Sequence, residues 1–238
     1  MILLPDEVRL LRHVERKVMT IFIENGFEEV MLPRLMQTKE WEYVAQSLGD
    51  ISSELQSEVI HVSPLGGHPH TLCHWQCEPY YSALGKHHDL IPKRVFDRSG
   101  WSYRNENHQN HLRLREFVRL EAIWRERSDR IAILLDTILR SLAQMLNSEG
   151  LPVRQVRRDT EVAGSHQRDV IDLVFTTKNG CDVEVAGGHL HGAAFVKRFW
   201  QNAPQNMETA CLGVSLTRVT RLLMMIQEDN VEFEDVAS

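Results

Sequence analysis

The stretch from Phe96 to Trp124 constrains the fold most, because it predicts a long antiparallel β-hairpin. Its first strand carries Trp101 and Tyr103, and a polar loop follows from Asn105 to His111. The chain then returns as a strand in which Phe117 begins a series of apolar residues. We therefore expect a β-sheet built around a hairpin with charged residues at its loop end.

Charged and aromatic side chains are spaced along this hairpin. Arg104 and Glu106 are two residues apart, so they point from the same face of a pleated strand. The return segment adds Arg113, Arg115 and Phe117 at alternating positions. Such a surface suits a nucleotide, with arginine for phosphate, glutamate for an exocyclic amine and an aromatic ring for the base. The alternative is a solvated hairpin with cross-strand ion pairs.

Segments near the two ends of the chain also have clear patterns. Residues Asp6 to Asn25 predict an amphipathic helix that Gly26 ends, and a strand is predicted from Glu29 to Leu32. Residues Cys211 to Met225 predict a glycine-containing strand followed by a helix that carries Arg218. The order is therefore helix and strand, then the hairpin, then strand and helix.

The hairpin resembles motif 2 of the class II aminoacyl-tRNA synthetases. The resemblance consists of R-x-E at Arg104 and Glu106, a loop, and then R-x-x-x-F at Arg113 and Phe117. In that family these residues bind ATP, so the resemblance implies that Arg104 holds the α-phosphate and the substrate carboxylate. Glu106 and Phe117 would hold adenine.

The two outer segments resemble the other motifs of the same family. Residues Asn25 to Leu35, with Pro33, are similar to motif 1, and Cys211 to Met225 is similar to motif 3, with Arg218 as its arginine. The resemblance implies an α+β fold, an antiparallel sheet flanked by helices. It also implies that Arg218 holds the γ-phosphate of ATP and that motif 1 forms a homodimer. An amphipathic helix packed on its own sheet is the alternative for motif 1.

Composition limits the domain organisation and the partners. The 238 residues suit a single domain, and we expect one catalytic domain over residues 1–238, without an anticodon-binding domain. The net charge of −6 gives no global basic field, so we do not expect tRNA as a partner. The sequence has no run of about 18 apolar residues and no signal-peptide pattern, which predicts a cytoplasmic location and no membrane partner.

A short segment from His61 to Tyr81 concentrates histidine and cysteine. Thiolate and imidazole at this density raise the hypothesis of a zinc site. Cys73 and Cys77 are four residues apart, but no second pair of ligands follows at zinc-finger distance, so other parts of the chain would have to complete the site.

A branch of the resembled family has such a site. In the atypical seryl-tRNA synthetases of methanogenic archaea and the related amino acid–carrier protein ligases, two cysteines and a glutamate hold a catalytic zinc. By resemblance the ligands are Cys77, Glu121 and Cys211, although Cys73 could replace Cys77. The open position of the zinc would take the substrate's α-amino group. Alternatively, Glu121 pairs with a neighbouring arginine and Cys211 is a small buried residue.

A second hairpin precedes motif 3. Asn179 and Gly180 predict its turn, and Glu184 lies on the strand that follows. The resemblance implies that Glu184 binds the Mg²⁺ ion that bridges the ATP phosphates; the alternative is the solvent face of an amphipathic strand. We expect the strand to open at two glycines into His189 and His191, which either line the amino-acid pocket or lie on the surface.

These parts together predict an enzyme that uses ATP, Mg²⁺ and Zn²⁺ to convert a small amino acid into an aminoacyl-adenylate. The acceptor that we expect is the phosphopantetheine thiol of an acyl or peptidyl carrier protein. One alternative is a stand-alone domain that aminoacylates tRNA or a small molecule. Another is a catalytically silent paralogue that binds an amino acid, because Ser215 replaces the second glycine usual in motif 3.

Overall fold

The computed structural model describes residues 3–48, 53–98, 100–105, 110, 112–158, 169–200 and 202–227. Among these residues, eleven strands form one large and one small sheet. They are β1 (Glu28–Val30), β2 (Leu35–Gln37), β3 (His61–Leu65), β4 (His68–Leu72), β5 (Arg94–Asp97), β6 (Trp101–Tyr103), β7 (Glu116–Arg127), β8 (Val153–Arg158), β9 (Asp169–Thr176), β10 (Asp182–Gly192) and β11 (Met207–Ser215).

Helices cover both sheets. In the described ranges they are α1 (Pro5–Glu24), α2 (Thr38–Ala45), α3 (Ser53–Glu58), α4 (Cys77–His87), α5 (Ser128–Ser148), α6 (Ala194–Phe199) and α7 (Leu216–Gln227). None of the described helices is long and apolar enough to cross a membrane.

The large sheet has the order β1-β5-β7-β11-β10-β9-β8. Strand β6 pairs with the first residues of β7, and β5 pairs with residues further along β7. Every pairing in the large sheet is antiparallel except the parallel pair β1 and β5. The small sheet has the order β2-β4-β3. The expected α+β architecture, an antiparallel sheet flanked by helices, is confirmed.

The alternation of side chains along the central strands divides the large sheet into two faces. Phe96, Ala122 and Leu212 belong to the main core with α1, α5 and α7, whose apolar residues recur at helical spacing. Their neighbours Ile123 and Cys211 point the other way, toward α4 and α6. The second face is only partly filled by apolar residues, and the candidate site lies on it.

The predicted hairpin around motif 2 is present, with two differences. Its first half is two short strands, because the chain turns at Gly100, whose φ is +78°. Arg113 and Arg115 precede β7 and therefore do not alternate on a strand as we predicted. Asn110 holds this segment: its side-chain carbonyl accepts hydrogen bonds from the amides of Leu112 and Arg113, each 2.8 Å long.

The prediction that the chain opens into a loop at Gly187 and Gly188 was wrong. Strand β10 continues through both glycines to Gly192, because β9 and β11 bond it on both sides. Tertiary pairing thus overrides the low strand propensity of glycine. Gly188 is explained by close packing, since a Cβ atom there would lie 2.6 Å from a methyl group of Leu135 on α5.

Candidate functional site

Three side chains that are distant in sequence meet at the centre of the second sheet face. Cys77 begins α4, Glu121 lies on β7 and Cys211 lies on β11. One ligand atom of each lies within 4.8 Å of the others, and all three residues are buried. Cys73 is not part of this cluster: its thiol donates a 3.5 Å hydrogen bond to the carbonyl of Pro33.

The loop before α4 is fixed by hydrogen bonds to Glu121 and to Glu78. The backbone amide of Gln76 donates to Glu121 Oε2 at 2.8 Å, whereas Glu121 Oε1 is buried without a hydrogen bond from the described residues. Buried Glu78 accepts from the amides of His74 and Trp75, at 3.0 and 3.2 Å, and from Trp41 Nε1 at 2.7 Å. The position of Cys77 therefore depends on a buried carboxylate next to it in sequence.

Electrostatics in this cluster favour a cation. A hydrogen bond with Cys211 and burial raise the pKa of the Cys77 thiol well above its usual range. The hydrogen bond to Cys77 lowers the pKa of Cys211, but burial and Glu121 outweigh it and raise that pKa. Two buried thiols beside a buried carboxylate are costly to ionise without a positive ion. The donor set of two sulfurs and one carboxylate oxygen fits Zn²⁺ with one position open.

Arg119 lies beside this cluster. Its Nε atom is 3.7 Å from Glu121 Oε2, and its guanidinium is stacked so closely on Gly213 that a Cβ atom there would collide with it. Burial alone would lower the pKa of Arg119, but the acidic groups around it raise the pKa, so the residue stays charged. The sequence predicted a neighbouring arginine only as an alternative partner of Glu121; the space for the Arg119 guanidinium comes from Gly213, which pairs with Glu121 across the two strands.

A second group of polar side chains surrounds Gly187, which pairs with Gly213 on β11 and with Asp172 on β9. A Cβ atom at Gly187 would lie 3.2 Å from Asp172 Oδ1, 3.2 Å from Glu184 Oε1 and 3.4 Å from His189 Nε2. Burial and the charge of Glu184 raise the pKa of Asp172 to about 6. Gly187 and Gly213, which have no side chains, therefore lie next to each other between two polar groups on the same sheet face. These groups are the cluster of Cys77, Glu121 and Cys211 and the side chains of Asp172, Glu184 and His189.

His191 is buried, so the alternative that both histidines lie on the surface is wrong; His189 is half-buried. The rings of Tyr81 and Phe195 meet His191 edge-on, with centroids 5.8 and 5.0 Å away. Neither ring nitrogen of His191 has a hydrogen bond from the described residues, and burial holds its pKa well below the usual value. A neutral histidine therefore lies among the aromatic side chains beside Cys211.

The predicted nucleotide-binding residues lie around a cavity of about 130 Å³. Arg104, Arg113, Glu184 and Arg218 all line it. Arg218 donates to the carbonyl oxygens of Glu184, at 2.6 Å, and Leu112, at 3.1 Å. Arg104 forms an ion pair with Glu58 of α3.

Two further charged residues that we did not predict, Arg158 and Asp182, also line this cavity. Phe117 lies on β7 opposite Ser102 and is half-buried. The prediction for Glu106 lies outside the described residues. The cavity therefore brings four of the six predicted ATP-binding residues together, with basic side chains in excess.

Known proteins resemble this chain in sequence and in fold. No family model matches the chain. It is 30% identical over 166 residues to the type-2 serine–tRNA ligase of Methanococcus maripaludis strain C6, and 28% identical over 167 residues to that of Methanothermobacter thermautotrophicus. Each alignment covers 60% of this chain and 32% of the relative, so the chain spans about a third of the length of the curated relatives that it matches.

Solved structures give a broader match. A prolyl-tRNA synthetase of Giardia lamblia in complex with prolyl-adenylate superposes with a TM-score of 0.80 at 16% identity, over 93% of this chain and 46% of that one. A prolyl-tRNA synthetase of Cryptosporidium parvum gives 0.78 at 18% identity, over 94% and 47%. At these identities the matches show the fold alone.

The structural matches show that the chain has the fold of a class II aminoacyl-tRNA synthetase catalytic domain. Over 60% of its length its sequence is homologous to part of the type-2 serine–tRNA ligases. These relatives are tRNA ligases by name, which argues against our expectation that tRNA is not a partner.

Proposed function

We propose that this chain activates a small amino acid with ATP, forming an aminoacyl-adenylate and pyrophosphate. The observation that carries the proposal is the arrangement of one sheet face. A basic cavity that holds Arg104, Glu184 and Arg218 lies on the same face as the cluster of Cys77, Glu121 and Cys211. An amino acid held at the cluster would have its carboxylate directed toward a nucleotide in the cavity.

The reaction needs little covalent help from the protein. The carboxylate oxygen attacks the α-phosphorus of ATP, the bond to the bridging oxygen breaks, and pyrophosphate leaves with that electron pair. Arg104 would hold the carboxylate and the α-phosphate, Arg218 the γ-phosphate and Glu184 a Mg²⁺ ion. Positioning and neutralisation of charge are the main contributions of such a site. Glu106 and Phe117 would hold adenine, with Arg113 beside the phosphates.

Cys77, Glu121 and Cys211 would hold Zn²⁺. When bound, the zinc supplies an open coordination position for the α-amino group of the substrate. The protein's own part is to fix the three ligands, and the bond from Gln76 to Glu121 serves this purpose.

The substrate is small because the region behind Cys211 is already filled. Tyr81 and Phe195 stack face to face there, with ring centroids 3.8 Å apart, and His191 packs against both. Both aromatic residues are almost completely buried. A long substrate side chain would have to displace this packed group, at a cost of about 1–3 kcal/mol.

The adenylation half-reaction can be tested without knowing the acceptor. Hydroxylamine captures an activated acyl group as a hydroxamate, so the protein is incubated with ATP, Mg²⁺, Zn²⁺ and each proteinogenic amino acid in turn. We expect hydroxamate and AMP in equal amounts with one or two small amino acids. An absence of hydroxamate with every amino acid would favour the silent amino-acid-binding paralogue, for which Ser215 is the sequence argument.

For the second step we propose transfer to the phosphopantetheine thiol of a carrier protein. The acidic net charge and the resemblance to the carrier-protein ligases support this acceptor, whereas the names of the relatives favour tRNA. Transfer of labelled amino acid to a phosphopantetheinylated carrier, with the unmodified carrier as control, distinguishes the two. Labelling of tRNA instead, with a steep dependence on salt, would overturn the carrier proposal.

A homodimer is also part of the proposal. An apolar groove of about 490 Å³ follows the motif 1 segment, and Met31 and Leu90 on it are 84% and 80% exposed. Exposed apolar side chains of this size along one groove suit a subunit interface. Sedimentation velocity should give a dimer that Met31→Asp weakens, and a wild-type monomer at micromolar concentration would contradict this.

A further inference from the structure

We propose that Arg158 is a further phosphate-binding residue, which holds the pyrophosphate part of ATP. This inference rests on the proposed adenylation function and adds a residue to it. Arg158 is the last residue of the edge strand β8, where it pairs with Val170 on β9. Its side chain lines the cavity that Arg104 and Arg218 also line.

The order of strands indicates which end of a nucleotide Arg158 would meet. Arg104 follows β6, which pairs with β7, whereas Arg158 lies on β8 at the far edge of the same sheet. Glu184 on β10 lies between these strands, and its backbone carbonyl accepts a hydrogen bond from the Arg218 guanidinium. If Arg104 holds the α-phosphate, Arg158 therefore lies at the opposite end, where the leaving group would be.

A buried carboxylate holds Arg158 in this position. Arg158 Nε donates to Asp172 Oδ2 at 2.6 Å, and the Asp172 side chain is only 6% exposed. The terminal nitrogens of Arg158 make no hydrogen bond to the part of the chain that the structure describes, and the side chain is 52% exposed. Anchoring through Nε leaves the planar end of the guanidinium available to two phosphate oxygens, with less loss of side-chain entropy on binding.

Charge in the cavity also favours this role. Four guanidinium groups line it, against the carboxylates of Asp182 and Glu184. Asp182 is already paired with Arg154 at 2.5 Å and accepts from Thr176 at 2.7 Å. The excess of positive charge suits a polyphosphate that carries a divalent cation.

Strand β8 offers a matched control for the test. Arg157 and Arg158 are adjacent, and each pairs with an aspartate of β9, Asp169 and Asp172 respectively. Only Arg158 lines the cavity. Arg157→Ala therefore removes the same side chain and a similar ion pair on the other side of the strand.

The test measures Mg²⁺-pyrophosphate binding by calorimetry, and the KM for pyrophosphate in ATP–pyrophosphate exchange. We expect Arg158→Ala to raise both constants by about tenfold or more, because a charge-assisted hydrogen bond is lost. Arg157→Ala should leave both unchanged. Arg158→Lys should give constants between those of Arg158→Ala and Arg157→Ala, because lysine keeps the charge but lacks the planar guanidinium. Circular dichroism of each variant shows whether it is folded.

Two negative outcomes are distinguishable. If the wild-type protein exchanges pyrophosphate and Arg158→Ala matches Arg157→Ala, the role of Arg158 is overturned and the adenylation function stands. If the wild-type protein neither binds pyrophosphate nor exchanges it with any amino acid, the adenylation function itself fails, and the role of Arg158 fails with it.

Discussion

The two halves of the candidate site are built in opposite ways. The cluster of Cys77, Glu121 and Cys211 is buried, and its ligand atoms lie within 4.8 Å of one another. The phosphate cavity is lined by arginines, and two of them, Arg104 and Arg158, are 34% and 52% exposed. The first half is closed and compact before any ligand binds, and the second is open and positively charged.

This difference predicts which half of the site tolerates the substitution of a single residue. Removal of one ligand from a three-residue metal site leaves too few donors and unpaired buried groups. Removal of one arginine from a cavity that has four weakens binding but leaves the others in place. We therefore expect all-or-none effects in the cluster and graded effects in the cavity.

The largest effect is expected for Cys211→Ala. This variant should lose both the bound zinc, measured by elemental analysis, and amino-acid activation. Cys73→Ala is the matched control, because Cys73 is also buried but bonds to Pro33 outside the cluster, and it should retain both. Full zinc occupancy in Cys211→Ala would show that the metal site lies elsewhere.

Arg104→Ala tests the open half of the comparison. Loss of a group that stabilises charge at the reacting phosphate should lower kcat/KM for activation by about 10²- to 10³-fold. Zinc content should not change, since Arg104 lines the cavity and not the cluster. Arg115→Ala, which removes an exposed arginine from the same segment, is the control. A loss of zinc in Arg104→Ala would mean that the two halves are not independent.

Gly213→Ala tests the contact between Gly213 and Arg119, which lies beside the cluster. The added methyl group would collide with the guanidinium of Arg119, so Arg119 must move. Overpacking of this kind costs about 1–3 kcal/mol of unfolding free energy. Urea unfolding should show that loss in Gly213→Ala and a smaller one when the same change is made in an Arg119→Ala background. Equal losses in both backgrounds would contradict the contact.

The smallest effect concerns the pH dependence of stability. The pKa of Asp172 is raised from 3.8 to about 6, so this group contributes stability that is fully present below pH 3.8 and is lost as the pH rises through 6. Asp172→Asn should therefore flatten the change in unfolding free energy between pH 4 and pH 7. Asp169→Asn, on the same strand, is the control. An unchanged slope in Asp172→Asn would contradict the raised pKa.

Much of the closed half could be predicted from sequence. The resemblance to a known zinc site indicated Cys77, Glu121 and Cys211, and the structure brings these residues together. The choice between Cys73 and Cys77 could not be made, because it depends on where α4 begins and how the loop before it is bonded. A separation of four residues does not contain that information.

The open half was harder to predict because its residues depend on strand register. Arg158 is one of three arginines on β8, and nothing in their spacing distinguishes it. Its role follows from the pairing of β8 with β9 and from the position of Asp172. The continuation of β10 through Gly187 and Gly188 was missed for a related reason, since pairing on both sides overrides local propensity.

Amino-acid-dependent ATP–pyrophosphate exchange tests the central claim most directly. The wild-type protein is assayed with Mg²⁺ and Zn²⁺ against all the proteinogenic amino acids, and its zinc content is measured in the same sample. We predict exchange with one or two small amino acids and no exchange without an amino acid. A folded, zinc-containing protein that gives no exchange with any of them would contradict the claim that this chain activates a small proteinogenic amino acid.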